Sequence, residues 1–135
     1  MNDKVFLDTN ILIYSYTSTE PDKQAKARVI ANLPSAIIST QVLKEFANIV
    51  HRKFELDWTS IHAALTEIEG NFNIHLNTST TIKKACHIAQ RYHFFFYDSL
   101  IIAAALEANC TTLYSEDMQH EQIIEERLTV RNPFV

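Results

Sequence analysis

VFLDTNILIY, residues 5–14, is the stretch that decides the fold. Val5-Phe6-Leu7 is a short apolar run, β-branched and aromatic at its start, and it stops at Asp8. A brief run without polar alternation reads as a strand buried on both faces, as in a parallel sheet. Asn10 to Tyr16 then reads as a short helix. The same alternation recurs outward along the chain. Ala36-Ile37-Ile38, Asn73 to Leu76, Thr111 to Tyr114 and Leu128 to Val130 read as further short strands. Between them, Glu20-Pro21-Asp22 opens a helix with proline in its first turn, running to about Leu33 and ending before Pro34. Ser39 or Thr40 caps a helix over Gln41 to Phe54. Asp57 opens another, with Gly70 placed to end it in the left-handed conformation. Thr80 or Thr81 starts a helix to Tyr92. The aromatic run Phe94 to Tyr97 is expected to pack in the core beside a buried helix, with base stacking as the alternative. Asp98 and Ser99 precede a helix, Leu100 to Leu106, that is apolar on nearly every face and so expected to be buried all round. Short strands alternating with helices predict an α/β fold, a parallel sheet of about five strands with helices on both faces.

The 135 residues correspond to a single domain, 1–135. An apolar fraction of 47% and a charged fraction of 21% exclude disorder as the main state. The one glycine, Gly70, excludes a P-loop, a dinucleotide fingerprint and a kinase loop, each of which needs several glycines. Twelve Lys and Arg against 16 Asp and Glu give a charge of −4, which argues against a dedicated basic surface for duplex DNA. Cys86 and Cys110 are too few for a disulfide framework and fit buried thiols in a reducing compartment. MNDKVFLDTN has no apolar leader segment, and no run approaches the length of a membrane span. The expected location is the cytoplasm.

In open α/β sheets the active crevice lies beyond the carboxyl ends of the strands. Asp8 follows the first strand, Ser115-Glu116-Asp117 follows the fourth, and Asp98 stands at the head of the apolar helix. Glu45 falls at the edge of the apolar arc formed by Val42, Leu43, Phe46, Ile49 and Val50, near the first turn of its helix. Taken singly, Asp8 and Asp98 are adequate N-caps, Glu45 a first-turn acid, and Asp117 a solvated loop charge. Together, carboxylates converging on one sheet edge repel one another, and a divalent cation would remove the repulsion. Oxygen ligands without His or Cys spacing point to Mg²⁺ or Mn²⁺ rather than Zn²⁺.

Five segments then carry a resemblance: VFLDTNILIY at 5–14, ISTQVLKEFANIV at 38–50, HFFFYDSLIIAAALEANC at 93–110, LYSEDMQH at 113–120 and LTVRNPF at 128–134. In this order they resemble the PIN-domain nucleases, and more narrowly the VapC-type toxins of bacterial toxin–antitoxin pairs. The resemblance implies an α/β/α sandwich and a Mg²⁺- or Mn²⁺-dependent endoribonuclease that hydrolyses RNA phosphodiesters. It carries the family's acidic quartet onto Asp8, Glu45, Asp98 and Asp117, with Asn10 and Ser115 as supporting polar residues. Asp8 and Asp98 are expected as metal ligands, Glu45 as a ligand through water or a base, and Asp117 as a holder of a second ion or of water. The implied partners are RNA and a cognate antitoxin whose C-terminal segment wraps the toxin beside a groove near Ile11, Leu12 and Tyr14. Whether the chain forms a homodimer is left open. Relatives often carry glycine where this chain has Glu121. Two other readings stand beside this one: an aspartyl-nucleophile phosphatase, for which Asn10 replaces the usual second acid, and a PIN-like binding module without turnover.

Overall fold

Val5–Leu7, the apolar triplet, forms β1 in the interior of a six-stranded sheet, and all three residues are buried. The computed structural model describes residues 3–135. Met1 and Asn2, which begin both the expected 1–135 domain and the segment read for a leader, lie outside the described residues. After β1 the chain forms α1 (Thr9–Tyr16), α2 (Pro21–Ala31), β2 (Ala36–Ser39), α3 (Thr40–Phe54), α4 (Trp58–Asn71) and β3 (Asn73–His75). It continues through α5 (Ser79–Tyr92), α6 (Phe96–Glu107), β4 (Thr112–Tyr114), β5 (Ile123–Ile124) and β6 (Leu128–Arg131). The strand order is β3-β2-β1-β4-β6-β5. The pairs β1–β2, β1–β4, β2–β3 and β4–β6 are parallel, while β5 runs antiparallel to β6 at the edge.

From β1 the sheet grows outward through β2 to β3, then reverses and grows the other way through β4. The reversal falls between β1 and β4, and in such sheets the crevice opens at that switch point. Two hydrogen bonds carry the ladders one residue past the strands. Asp8 N–H donates to Tyr114 O at 2.9 Å, and Ser115 N–H donates to Arg131 O at 3.0 Å. The strand ends therefore set the positions of both polar residues.

Helix α6 packs against α5 and also against β2, which is why Ser99 to Leu106 are all buried. Its alanines, Ala103 and Ala104 among them, allow close approach. The main core runs through Phe6, Leu7, Ile38, Val42, Phe46, Ile102, Leu113 and Val130, each almost wholly buried.

Several expectations need correction. Gly70 lies inside α4, which ends at Phe72 with extended backbone, and Gly70 does not have positive φ. The left-handed helix ends belong instead to Glu55 and His93. Thr78, not Thr80 or Thr81, caps α5 through Thr81 N–H. Of the aromatic run, Phe94 packs on the core, whereas Phe95 and Tyr97 are exposed and Phe96 partly so. They precede or begin α6, before the chain dives between α5 and the sheet. Cys110 is buried but Cys86 is exposed. The sixth strand, β5, has only two residues and gave no periodic signal.

Glu121 adopts φ 67°, the left-handed conformation in which a Cβ is unfavourable. Its contacts with His120 and Arg131, both at 3.7 Å on the exposed surface, offset little of that strain. Glu121→Gly should therefore raise stability by about 0.5–1 kcal/mol in urea or thermal unfolding. A loss of stability would mean that the side chain's ionic contacts outweigh its backbone strain.

Candidate active site

Asp8 is the N-cap of α1. Its Oδ1 accepts from Thr9 N–H at 2.7 Å, and its Oδ2 accepts from the Ser115 hydroxyl at 2.8 Å. The capping role and the site role coincide in one side chain. Ser115 Oγ also accepts from Asp117 N–H at 3.2 Å, so one hydroxyl ties the end of β1 to the loop after β4. Burial pushes the Asp8 carboxyl up to about 7, against the lowering effect of these two bonds, and the charges of Asp117 and Glu45 push it further the same way.

Glu45 is half-buried in the second turn of α3, not the first. Its Oε1 accepts from Thr9 Oγ1 at 2.5 Å, and its Oε2 accepts from Gln41 Nε2 at 3.3 Å. Asp98 lies within the first turn of α6, whose cap residue is Phe95, so Asp98 does not cap the helix. Its carboxyl is raised by burial and by the charges of Asp117 and Glu45. Asp117 is exposed, and its Oδ2 accepts from Asn10 Nδ2 at 2.7 Å. Burial of part of the group and the charge of Glu116 raise it, while the Asn10 bond lowers it.

The four acids line one pocket of about 150 Å³, together with Thr9, Asn10, Gln41, Ile49, Tyr97 and Ile101. Ser115 reaches it through Asp8. All six residues expected from the sequence therefore meet at the switch point of the sheet. A larger hollow of about 510 Å³ lies beside α2, but its lining mixes Glu20 and Asp22 with Lys23 and Lys26 and gathers no set of acids.

Among the described residues, no Lys or Arg forms an ion pair with Asp8, Glu45, Asp98 or Asp117. Nor are any three His, Cys, Asp or Glu side chains drawn close enough to ligate an ion as they stand. The carboxylates share a pocket yet are spread apart. Three of them turn toward neutral donors, an arrangement that like charges favour when nothing positive lies between them. The donor set fits a hard divalent cation: carboxylate, amide and hydroxyl oxygens, with no histidine or thiol among the lining residues.

Thr9 and Gln41 were not singled out in the sequence. Each had a signal: Thr9 lies between Asp8 and Asn10, and Gln41 is one helical turn before Glu45, on the same face. Glu116 also matters, by staying away. It accepts from Tyr14 OH at 2.6 Å and pairs with Lys23. Burial alone would raise its carboxyl, but Lys23 and Tyr14 hold it below the usual range. Among the expected groove residues, Ile11 and Leu12 are fully buried. Tyr14 lines a second hollow of about 420 Å³ with Ile13, Thr17, Lys53 and Phe54. That hollow shares Asn10 and Ile49 with the acidic pocket.

The comparisons agree with this architecture. No curated protein matches the sequence. A toxin–antitoxin complex from Klebsiella pneumoniae superposes with TM-score 0.72 at 20% identity, over 96% of this chain and 98% of that one. VapC20 of Mycobacterium tuberculosis, described as a toxin cleaving the sarcin–ricin loop, gives TM-score 0.68 at 16% identity, over 82% of this chain and 87% of that one. VapBC2 of Rickettsia felis, solved with a fragment of promoter DNA, gives TM-score 0.68 at 17% identity, over 95% and 98%. At these identities the likenesses show a shared fold. The family model for the PIN domain matches residues 5–125, from β1 into the turn that follows β5, and on that match the chain belongs to the PIN-domain family.

Proposed function

We propose that this protein is a divalent-metal-dependent endoribonuclease that serves as the toxin of a toxin–antitoxin pair. The observation that carries the reading is the acidic pocket at the sheet's switch point, with four carboxylates and no cationic partner among the described residues. The neighbouring toxin structures, one described as a toxin cleaving the sarcin–ricin loop, support RNA as the substrate class. Asn10 weighs against a phosphatase with a second acid at that position. It donates to Asp117, whereas an aspartate there would repel it.

Asp8 and Asp98 would hold Mg²⁺ or Mn²⁺, with Glu45 and Asp117 reaching it directly or through water. When bound, such an ion lowers the pKa of a coordinated water and steadies charge on the phosphate. Ser115 and Thr9 N–H fix the Asp8 carboxylate, and Thr9 Oγ1 fixes that of Glu45. Glu45, as a ligand through water or as the base, would accept a proton from an attacking water. Asn10 steers Asp117 across the pocket mouth.

Purified protein should cleave RNA with Mg²⁺ or Mn²⁺ and stop on chelation. Asp8→Asn and Asp98→Asn should each lose activity by about 100-fold or more while remaining folded. Undiminished cleavage by the double variant would refute the assignment.

A pH dependence follows from the buried Asp8. In the metal-free folded protein its carboxyl keeps its proton up to about 7, whereas the ordinary value is 3.8. Below about pH 4 both folded and unfolded chains are protonated there, and this group's contribution is intact. As pH rises from about 4 to 7 the unfolded chain releases the proton first, so stability falls across that window and levels off above it. Asp98 and Asp117, raised as well, act in the same direction. Metal-free Asp8→Asn should melt several degrees above wild type at about pH 8, with the gap closing toward pH 4. Mn²⁺ should raise the wild-type melting temperature far more than that of the variant. Equal melting at both pH values would show that Asp8 carries no burial cost.

An inhibitory antitoxin segment would lie in the hollow of Ile13, Tyr14 and Phe54 and project an Arg or Lys among the acids, since a guanidinium fork matches a carboxylate. Co-purified with its partner, the protein should bind Mn²⁺ more weakly than when free. Unchanged Mn²⁺ affinity in the complex would place inhibition on another surface.

A further inference from the structure

Gln41 stands in the first turn of α3, one turn before Glu45, with 7% of its surface exposed, and it lines the acidic pocket. Its Nε2 donates to Glu45 Oε2 at 3.3 Å and to the Tyr97 carbonyl at 3.1 Å. Both neighbours are acceptors, which fixes that end of the amide as nitrogen. The other end, Oε1, is buried without a hydrogen-bond partner. A buried amide oxygen left in this state is unfavourable, and a methionine or leucine of similar size would fill the space without it.

The side-chain hydroxyl and amide donors bonded around the pocket are directed at its carboxylates, not at Gln41 Oε1. Thr9 Oγ1 is used on Glu45, Ser115 Oγ on Asp8, and Asn10 Nδ2 on Asp117. The two groups bonded to Gln41 are a carboxylate and a carbonyl. A donor that arrives with what the site binds would satisfy it, and water carried on a divalent cation supplies one. The amide also joins two elements of the site: Glu45 comes from α3, and Tyr97 immediately precedes Asp98 in α6.

We propose that Gln41 is a positioning residue of the metal site. Its nitrogen holds Glu45 in register with the turn that carries Asp98, and its oxygen accepts a hydrogen bond from water on the bound cation. This rests on the cation reading given above.

The test measures Mn²⁺ affinity by calorimetry for wild type, Gln41→Met, Glu45→Gln and the double variant, with Gln41→Leu as an independent copy of the first change. Gln41→Met should melt no lower than wild type in the metal-free state, because the orphaned oxygen is gone. It should bind Mn²⁺ about 10-fold more weakly. The loss should shrink once Glu45 is already glutamine, since part of it acts through Glu45. Electron–nuclear resonance of bound Mn²⁺ should show the ordered-water protons of wild type changed in Gln41→Met. Wild-type affinity in both Gln41 variants, or an undiminished loss in the Glu45→Gln background, overturns the proposal while leaving the metal site standing. No Mn²⁺ binding by wild type overturns the metal reading and this one together.

Discussion

One carboxylate organises this molecule. Asp8 sits where β1 ends, with β2 and β4 on either side, so it cannot swing out to solvent. The start of α1 partly compensates its charge, since the helix N-terminus and Thr9 N–H both favour an anion. Burial nevertheless wins, as the raised carboxyl shows. Ser115 is the link outward. It donates to Asp8, accepts from Asp117 N–H, and is anchored through its own N–H to β6. The junctions after β1 and after β4 are thus one hydrogen-bonded unit built around a charge that the apolar sheet does not neutralise.

The surrounding residues keep that charge pocket from growing further. Glu116 adjoins Asp117 and would add a fifth carboxylate. Lys23 and Tyr14 draw it away, and Lys23 also lies over the rings of Tyr14 and Phe134 at 5.2 and 5.3 Å. One lysine therefore ties α2 and the C-terminal segment to the loop carrying Asp117. Within the pocket the acids alternate with neutral donors: Thr9 beside Glu45, Asn10 beside Asp117, Ser115 beside Asp8. Donors without charge can hold carboxylates in place while leaving them free to attract a cation, which an arginine or lysine at the same positions would not.

The sequence was most legible where one local feature determined position. Asp8 and Ser115 could be located because strands end on them, and Glu45 because helical periodicity puts it beside the core. Asp98 was found at the head of α6 but inside its first turn rather than ahead of it, since Phe96 and Tyr97 already belong to the helix without a side-chain cap to announce its start. What escaped was either spatial or without a residue-type signal. The Thr9–Glu45 bond joins residues 36 positions apart. The Gln41–Tyr97 bond spans 56. The left-handed residues Glu121, Glu125 and Glu126, which lie before β5 and in the turn to β6, are all glutamates, so no glycine marks that turn. Gly70 misled in the opposite sense, because an exposed helix interior tolerates glycine at a modest cost.

The elements that deliver the acids differ in how far they can yield. Asp8 is fixed by the central strand. Asp98 is fixed by α6, because a helix buried from Ser99 to Leu106 between α5 and the sheet can neither rotate nor slide without opening the core. Asp117 comes from an exposed loop, and Glu45 reaches the pocket on a flexible side chain from a helix with one wet face. Any closing of the spread carboxylates onto a cation must then come from Glu45 and Asp117 moving toward a rigid pair. Thr9, Gln41 and Asn10 hold these two by side-chain contacts that can shift with them, whereas moving Asp8 or Asp98 would disturb the sheet itself. The pair anchored by the sheet and α6 sets where charge is concentrated, and the pair held only by side-chain contacts would set how tightly it can be used.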